Sequence, residues 1–191
     1  MIFRNQDNVS SFSSVDGEEK LIKDAILGEA SAFGRLYDCY QPRIYRFILV
    51  KVDRSEEAED LTHQVFLKAW QNIADYKHRG FPFSSWLYRI ARNQVIDYYR
   101  TKKAETDLEQ VDKEFSAGPA AAYLKFEKNW DLERVWKALK QLEPAHQEVI
   151  VMRFIDDLSI KETAAAIQKS QGAVKLLQFR ALNKLREIIN S

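Results

Sequence analysis

Apolar residues recur at three- and four-residue steps along most of the chain, and no stretch alternates with the period of two that marks a strand. The pattern predicts helices only. A first helix spans about 18–27, with Asp16 as its N-cap, Glu18 and Glu19 in its first turn and Gly28 as its stop. Phe33, Leu36, Tyr37 and Tyr40, then Ile44, Phe47, Ile48 and Val50, carry an apolar face across 29–52. Pro42 interrupts that face, either as a kink or as the first position of a second helix. Ser55 is expected to cap the next helix, which runs to about 74. Its apolar stripe is Leu61, Val65, Phe66, Ala69 and Trp70, and its opposite face carries Glu59, Asp60, His63, Gln64, Lys68 and Gln71. A loop over 77–83 contains Gly80 and Pro82, and Ser84 is expected to cap a helix over 85–102.

The pattern then lapses. Residues 104–129 mix alternating charge with the small, irregular run Gly118-Pro119-Ala120-Ala121-Ala122, which reads as a flexible linker of about 25 residues with a short helix near 121–128. Helical periodicity returns over 132–141, where Val135, Trp136, Leu139 and Leu142 are apolar, and again over 145–154, opened by Pro144 and broken by Asp156-Asp157. Ser159 caps 160–167 and Ser170 caps 171–189. The fold class is all-α: two small helical domains, 18–103 and 130–191, joined by the 104–129 linker and preceded by a disordered leader, 1–17.

A chain of 191 residues is long enough for two such domains. Its formal net charge is only +1, yet the charge is segregated. Residues 1–60 hold 8 Lys/Arg against 12 Asp/Glu, residues 76–103 hold 7 against 1, and residues 169–186 hold 5 against none. Two basic blocks in an otherwise acidic or balanced chain suggest two anion-facing surfaces. The single cysteine, Cys39, excludes an internal disulfide and falls in an apolar helical pattern, where a small buried hydrophobe is expected. No apolar run reaches the ~18 residues of a membrane span, and the leader lacks a signal-peptide core, so no membrane insertion and a cytoplasmic location are expected. His63, His78 and His146 are scattered and suggest no metal site. No Gly-rich phosphate loop and no nucleophile–base pair point to an enzyme or a cofactor.

Two stretches carry chemistry. In 76–100 the rings Tyr76, Phe81, Phe83, Trp86, Tyr88, Tyr98 and Tyr99 interleave with Lys77, Arg79, Arg89, Arg92 and Arg100. Rings stack on unpaired bases and cations follow phosphates, so this composition suits single-stranded nucleic acid; an aromatic core helix with a solvated basic face has the same composition. Asn93 is a poor helix former in mid-helix, which favours a polar role there. Asp97 and Arg100, three apart, suit a surface ion pair. The last two helices have helix-turn-helix spacing. Ile160, Ala164, Ala165 and Ile167 form a small-residue face, Lys169-Ser170 the turn, and Val174, Leu177, Ala181 and Leu185 the second helix's core face. Ser170, Gln171, Gly172, Lys175, Leu176, Phe179 and Arg180 remain for a major groove; an ordinary helical hairpin is the other reading.

The order of these features resembles the extracytoplasmic-function group of the bacterial sigma-70 family over residues 18–189. The resemblance rests on the run from Ala58-Glu59-Asp60-Leu61 to Phe66-Leu67-Lys68-Ala69-Trp70, on Phe83-Ser84-Ser85-Trp86-Leu87-Tyr88-Arg89-Ile90-Ala91-Arg92-Asn93, and on Gly172-Ala173-Val174-Lys175 with Arg180-Ala181. It implies a dissociable specificity subunit that docks on core RNA polymerase through Glu59, Asp60, Gln64, Phe66 and Trp70. It further implies that Lys77, Arg79, Phe81, Phe83, Arg89, Arg92, Asn93 and Arg100 open and read single-stranded −10 DNA, and that the 170–180 residues above read the double-stranded −35 element. The family often has an anti-sigma partner, so one is expected here. Many members carry arginine where this chain has Leu177 and leucine where it has Gln178, which shifts the core face by one position and leaves the −35 preference open. A stand-alone helix-turn-helix regulator is the competing function; it needs no stacking platform.

Overall fold

The computed structural model describes residues 17–52, 54–77, 81–106 and 130–190. Among these residues there are eight α-helices and no strand: α1 (Glu18–Ile26), α2 (Ala30–Leu49), α3 (Ser55–Asn72), α4 (Phe83–Thr106), α5 (Trp130–Lys140), α6 (Pro144–Ile150), α7 (Ile160–Ile167) and α8 (Gln171–Asn190). The expected leader apart from Gly17, most of the expected linker with its short helix, and Arg79 lie outside the described residues.

Local chemistry accounts for most boundaries. Gly28 takes a left-handed backbone, φ 94°, which a residue with a Cβ rarely adopts, and turns the chain from α1 into α2. α2 runs unbroken through Pro42, so neither a helix break nor a fresh start occurs there. Asp38 and Pro42 are both exposed, and water can take the carbonyl that the missing N–H leaves free. α7 opens with a complete capping box: Ser159 Oγ accepts from Glu162 N at 3.2 Å, and Ser159 N donates to Glu162 Oε2 at 2.5 Å. Ser170 Oγ likewise accepts from Ala173 N at 3.2 Å at the start of α8. Beyond α6 the helix widens into a π-turn over Val151–Ile155, closed by Asp156 N donating to Val151 O at 3.0 Å.

Three local expectations are corrected. Ser55 is the first residue of α3 rather than its cap; extended Arg54 precedes it and makes no side-chain cap bond. Ser84 lies inside the first turn of α4, which starts at Phe83, and is buried. Cys39 is exposed, because α2 turns its apolar stripe through Leu36, Tyr40 and Ile44 instead.

The buried side chains form one continuous cluster from Leu21 to Ala181, crossing both helical halves. α1, α2, α3 and α4 surround the first part, where Tyr45, Tyr88, Phe47 and Phe83 are the largest fully buried side chains. Each contributes about 1.5–3 kcal/mol by leaving water. α5, α6 and α8 pack together in the second part. α7 lies between α8 and the α4 helix of the first half, so the two halves share an interface that the sequence pattern had left undefined.

Candidate functional site

The first surface is a groove between α2 and α3. It measures about 390 Å³ and is lined by Ala30, Phe33, Gly34, Tyr37, His63, Phe66, Leu67 and Trp70. The spacing of these residues puts one stripe of each helix on the same side. Phe33 stacks on Trp70 at 4.9 Å, and Tyr37 meets Phe66 edge-on at 4.7 Å, fixing the groove floor. Of the residues expected to dock a protein, Glu59, Asp60 and Gln64 are exposed and Trp70 is half-buried. Phe66 is 3% exposed and forms the floor rather than a free contact. The sequence reading missed Leu67, 57% exposed in the middle of the stripe, and the α2 wall of Phe33 and Tyr37. Their shared face was visible in the two periodicities; their meeting was not.

The second surface surrounds the start of α4. A cavity of about 410 Å³ is lined by Asp75, Tyr76, Lys77, Phe81, Ser85, Trp86, Arg89 and Ala165. Tyr76 donates its hydroxyl to Phe81 O at 3.3 Å; burial, and then the charge of Glu18, push its pKa up to about 12. It therefore stays a neutral donor that holds the loop against α4. Phe81, 38% exposed, and Arg89 offer a ring and a cation at the cavity mouth, with Lys77 beside them. Phe83 is corrected: at 1% exposure it is a core ring set 5.6 Å from Tyr40, 5.4 Å from Tyr76 and 5.3 Å from Trp86, with no face free for a base. Asn93 is exposed, and exposed Arg100 pairs with Asp97 at 3.1 Å as its spacing suggested. A neighbouring polar residue of this helix, Gln94, is buried; it donates to Gln64 Oε1 at 2.9 Å and accepts from Lys68, tying α4 to α3. Arg92 faces the second half of the chain, where its Nε donates to Glu148 Oε2 at 3.2 Å.

The third surface is the outer face of α8. Ser170, Gln171, Gly172, Lys175, Leu176, Phe179 and Arg180 are all exposed, while Val174 and Ala181 are buried against α6 and α7. Leu176 and Phe179 are 49% and 64% exposed, unusual for apolar side chains of a folded chain and suited to thymine methyl groups. The shift at 177–178 has a structural counterpart. Leu177 packs against the core, and Gln178 accepts from Arg153 Nε at 3.2 Å, bracing α8 against the π-turn.

Between the second and third surfaces lies the interface of the two halves, which is charged and buried. Asp156, its side chain fully buried, accepts from Arg46 Nη2 at 2.8 Å and from the buried Tyr88 hydroxyl. Glu148 lies 3.4 Å from Lys51 Nζ and 3.2 Å from Arg92 Nε, with Lys51 only 4% exposed at its side chain. Burial outweighs the attraction of Arg46 and raises the Asp156 pKa. Burial also lowers that of Lys51 despite Glu148 beside it. Lys51 Nζ donates to Pro144 O, Lys140 Nζ to Val52 O, and Ser85 Oγ to Glu162 O, each at 3.2 Å.

Among the described residues no helix is long and apolar enough to cross a membrane, and no cluster of side chains suits a metal ion. Residues 36–105 match Sigma-70 region 2 and residues 138–187 match Sigma-70, region 4. Over 174 residues the chain is 37% identical to the ECF RNA polymerase sigma factor BldN of Streptomyces coelicolor, an alignment covering 89% of this chain and 65% of that relative. It is 31% identical over 178 residues to the ECF RNA polymerase sigma factor SigW of Bacillus subtilis, covering 88% of this chain and 95% of SigW. The fold is similar to that of CnrH, solved in complex with the cytosolic domain of CnrY: TM-score 0.70, 27% identity, 92% of this chain and 98% of that one.

Proposed function

The chain belongs to the ECF RNA polymerase sigma factors of the sigma-70 family, and from that premise we propose how its three surfaces divide the work. It binds core RNA polymerase and directs initiation at specific promoters. The α2–α3 groove, with Leu67 and Trp70 on its walls and Glu59, Asp60 and Gln64 beside it, receives an apolar polymerase element. The cavity under Phe81 and Arg89 receives a base flipped from the −10 element; Lys77, Asn93 and Arg100 lie along the same end and outer face of α4 for the strand's phosphates. Extruding a base costs a few kcal/mol and stacking returns ~1–3 kcal/mol per base, so binding alone can hold a melted strand. α8 enters the −35 major groove with Gln171, Gly172, Lys175, Leu176, Phe179 and Arg180. The work is done by binding and requires no catalytic group, and its setting is the cytoplasm, where polymerase and promoter meet. An anti-sigma protein is the expected regulator, CnrH having been solved with the cytosolic domain of CnrY.

One observation carries the reading: both matched regions bear exposed cationic and apolar side chains of the required chemistry. Transcription from a genomic template with core polymerase, with and without this protein, tests it. New, discrete start sites are expected; their absence from every template refutes the assignment. Within that assay, alanine at Phe81 and Arg89 should impair promoter opening more than closed-complex binding. Equal loss of both steps would refute the strand-reading role of the cavity.

A further inference from the structure

The core stripe of α8 holds a polar member. Val174 and Ala181 are buried against α6 and α7, and Leu185 continues their line as a half-buried side chain. Steps of four, three and four residues join Val174, Gln178, Ala181 and Leu185, so Gln178 stands where this rhythm calls for an apolar side chain. It is half-buried there, and its Oε1 accepts from Arg153 Nε at 3.2 Å. Arg153 lies on the π-turn, and its Nη1 donates to the carbonyl of Leu158, the residue before the Ser159 cap of α7. One planar guanidinium therefore bonds both the entry to α7 and the middle of α8.

An apolar side chain at 178 would hold α8 to the core without fixing its rotation, because apolar contact has no direction. A hydrogen bond has one. Side chains project to a radius of about 5–6 Å from a helix axis, so turning α8 by roughly 20° moves a side-chain tip by about 2 Å. That is more than a bond to a base edge tolerates. We propose that Arg153 is a positioning residue: acting through Gln178, it fixes the rotation of α8 and so sets which base pairs this chain accepts at the −35 element. The proposal rests on the major-groove role given above to α8. Neither residue belongs to the exposed row from Ser170 to Arg180 that faces outward. The pair acts on specificity more than on affinity. Long cations such as Lys175 and Arg180 can follow phosphates from a rotated helix, whereas base edges require a fixed pose.

The test maps base-pair sensitivity with the full chain on core polymerase. The unmutated protein first identifies one start site on a genomic template. The probe is that promoter with each base pair of its −35 and −10 windows changed in turn, and transcript yield is measured at limiting protein. With unmutated protein, the most sensitive −35 pairs should lose about tenfold. Q178M matches glutamine in length without the accepting oxygen. It should flatten the −35 losses to about twofold and leave the −10 profile unchanged. Q178E keeps the oxygen and should keep the −35 profile. R153A should flatten it as Q178M does, and R153A/Q178M should flatten it no further, because both changes remove the same bond. A merely destabilised domain would lower the yield on every template alike and leave both profiles in shape. An unchanged −35 profile in Q178M, equal flattening in Q178E and Q178M, or further flattening in the double variant overturns the proposal. If R153A does not fold by circular dichroism, the contrast between Q178M and Q178E decides alone. Absence of any start site with unmutated protein counts against the sigma-factor assignment, and an insensitive −35 window against the groove role of α8; either removes the premise. A sensitive window that Q178M leaves intact counts against the positioning role only.

Discussion

The two reading faces differ in what lies over them. On α8 the whole row from Ser170 to Arg180 that faces outward is open to solvent, apolar Leu176 and Phe179 included. At the start of α4 the corresponding ring and cations are partly roofed by α7, and Arg92 is already paired. The open face is the one assigned to duplex DNA, which exists before any contact is made. The partly roofed face is the one assigned to a strand that exists only after melting. A surface for a ligand that is not yet present can be partly roofed at no cost to the first encounter.

The sharpest way to break this comparison is at the two phenylalanines that flank Pro82. Phe83→Ala should destabilise the chain by about 3–5 kcal/mol, because it empties a core position ringed by Tyr40, Tyr76 and Trp86. Phe81→Ala should change stability by about 0.5 kcal/mol or less while lowering affinity for single strands. Denaturant unfolding of both variants decides it; equal losses would mean that Phe81 is structural. Next in size, Tyr88→Phe should cost about 1–3 kcal/mol, since buried Asp156 would lose one of its two donors. A thermal melt beside the unmutated chain measures it, and an unchanged midpoint would show that the halves do not rely on this contact. On the open face, Lys175→Ala should leave stability within about 0.5 kcal/mol but reduce the salt slope of −35 duplex binding by about one. A titration of affinity against salt checks it.

The smallest expected effect is on pH dependence. Burial raises the Asp156 pKa above its unfolded value, so this residue stabilises the packed form most when protonated, and that contribution is lost as pH rises through the raised value. Glu57 acts in the opposite sense: its pKa is lowered, through hydrogen bonds from Tyr98 and Lys102 that outweigh desolvation, and its contribution is lost on acidification. The difference in melting midpoint between the unmutated chain and D156N therefore isolates Asp156. It should drift in favour of D156N as pH rises from about 4 to 7, and a flat difference would contradict the burial argument.

Much of the fold was legible because helices report themselves locally. The 3.6-residue period, the Ser159 cap, the Ser170 cap and the Gly28 stop each depend on a few adjacent residues, and the structure has all of them. The errors share one cause. Ser84 and Phe83 have the local chemistry of a cap and of a loop ring, but Tyr40 from α2 packs on Phe83 from outside that window and draws both into the core. Cys39 erred the other way: it sits next to the buried stripe of α2 and faces out. Phe66 could be placed on a stripe but not as the floor of a groove, since the groove's other wall comes from Phe33 and Tyr37.

The sequence by itself determined the helices, the basic blocks over 76–103 and 169–186, the helix-turn-helix spacing and the family, because each depends on residues close along the chain or on their order. Only the tertiary structure decided that Glu148 and Asp156 meet Arg46, Lys51 and Arg92. Asp156 stands 110 residues from Arg46, and Glu148 97 from Lys51. Over such separations no periodicity or spacing links a carboxylate to its cation. The pairing is set by how α7 settles on α4, which depends on the shape of two completed helix faces.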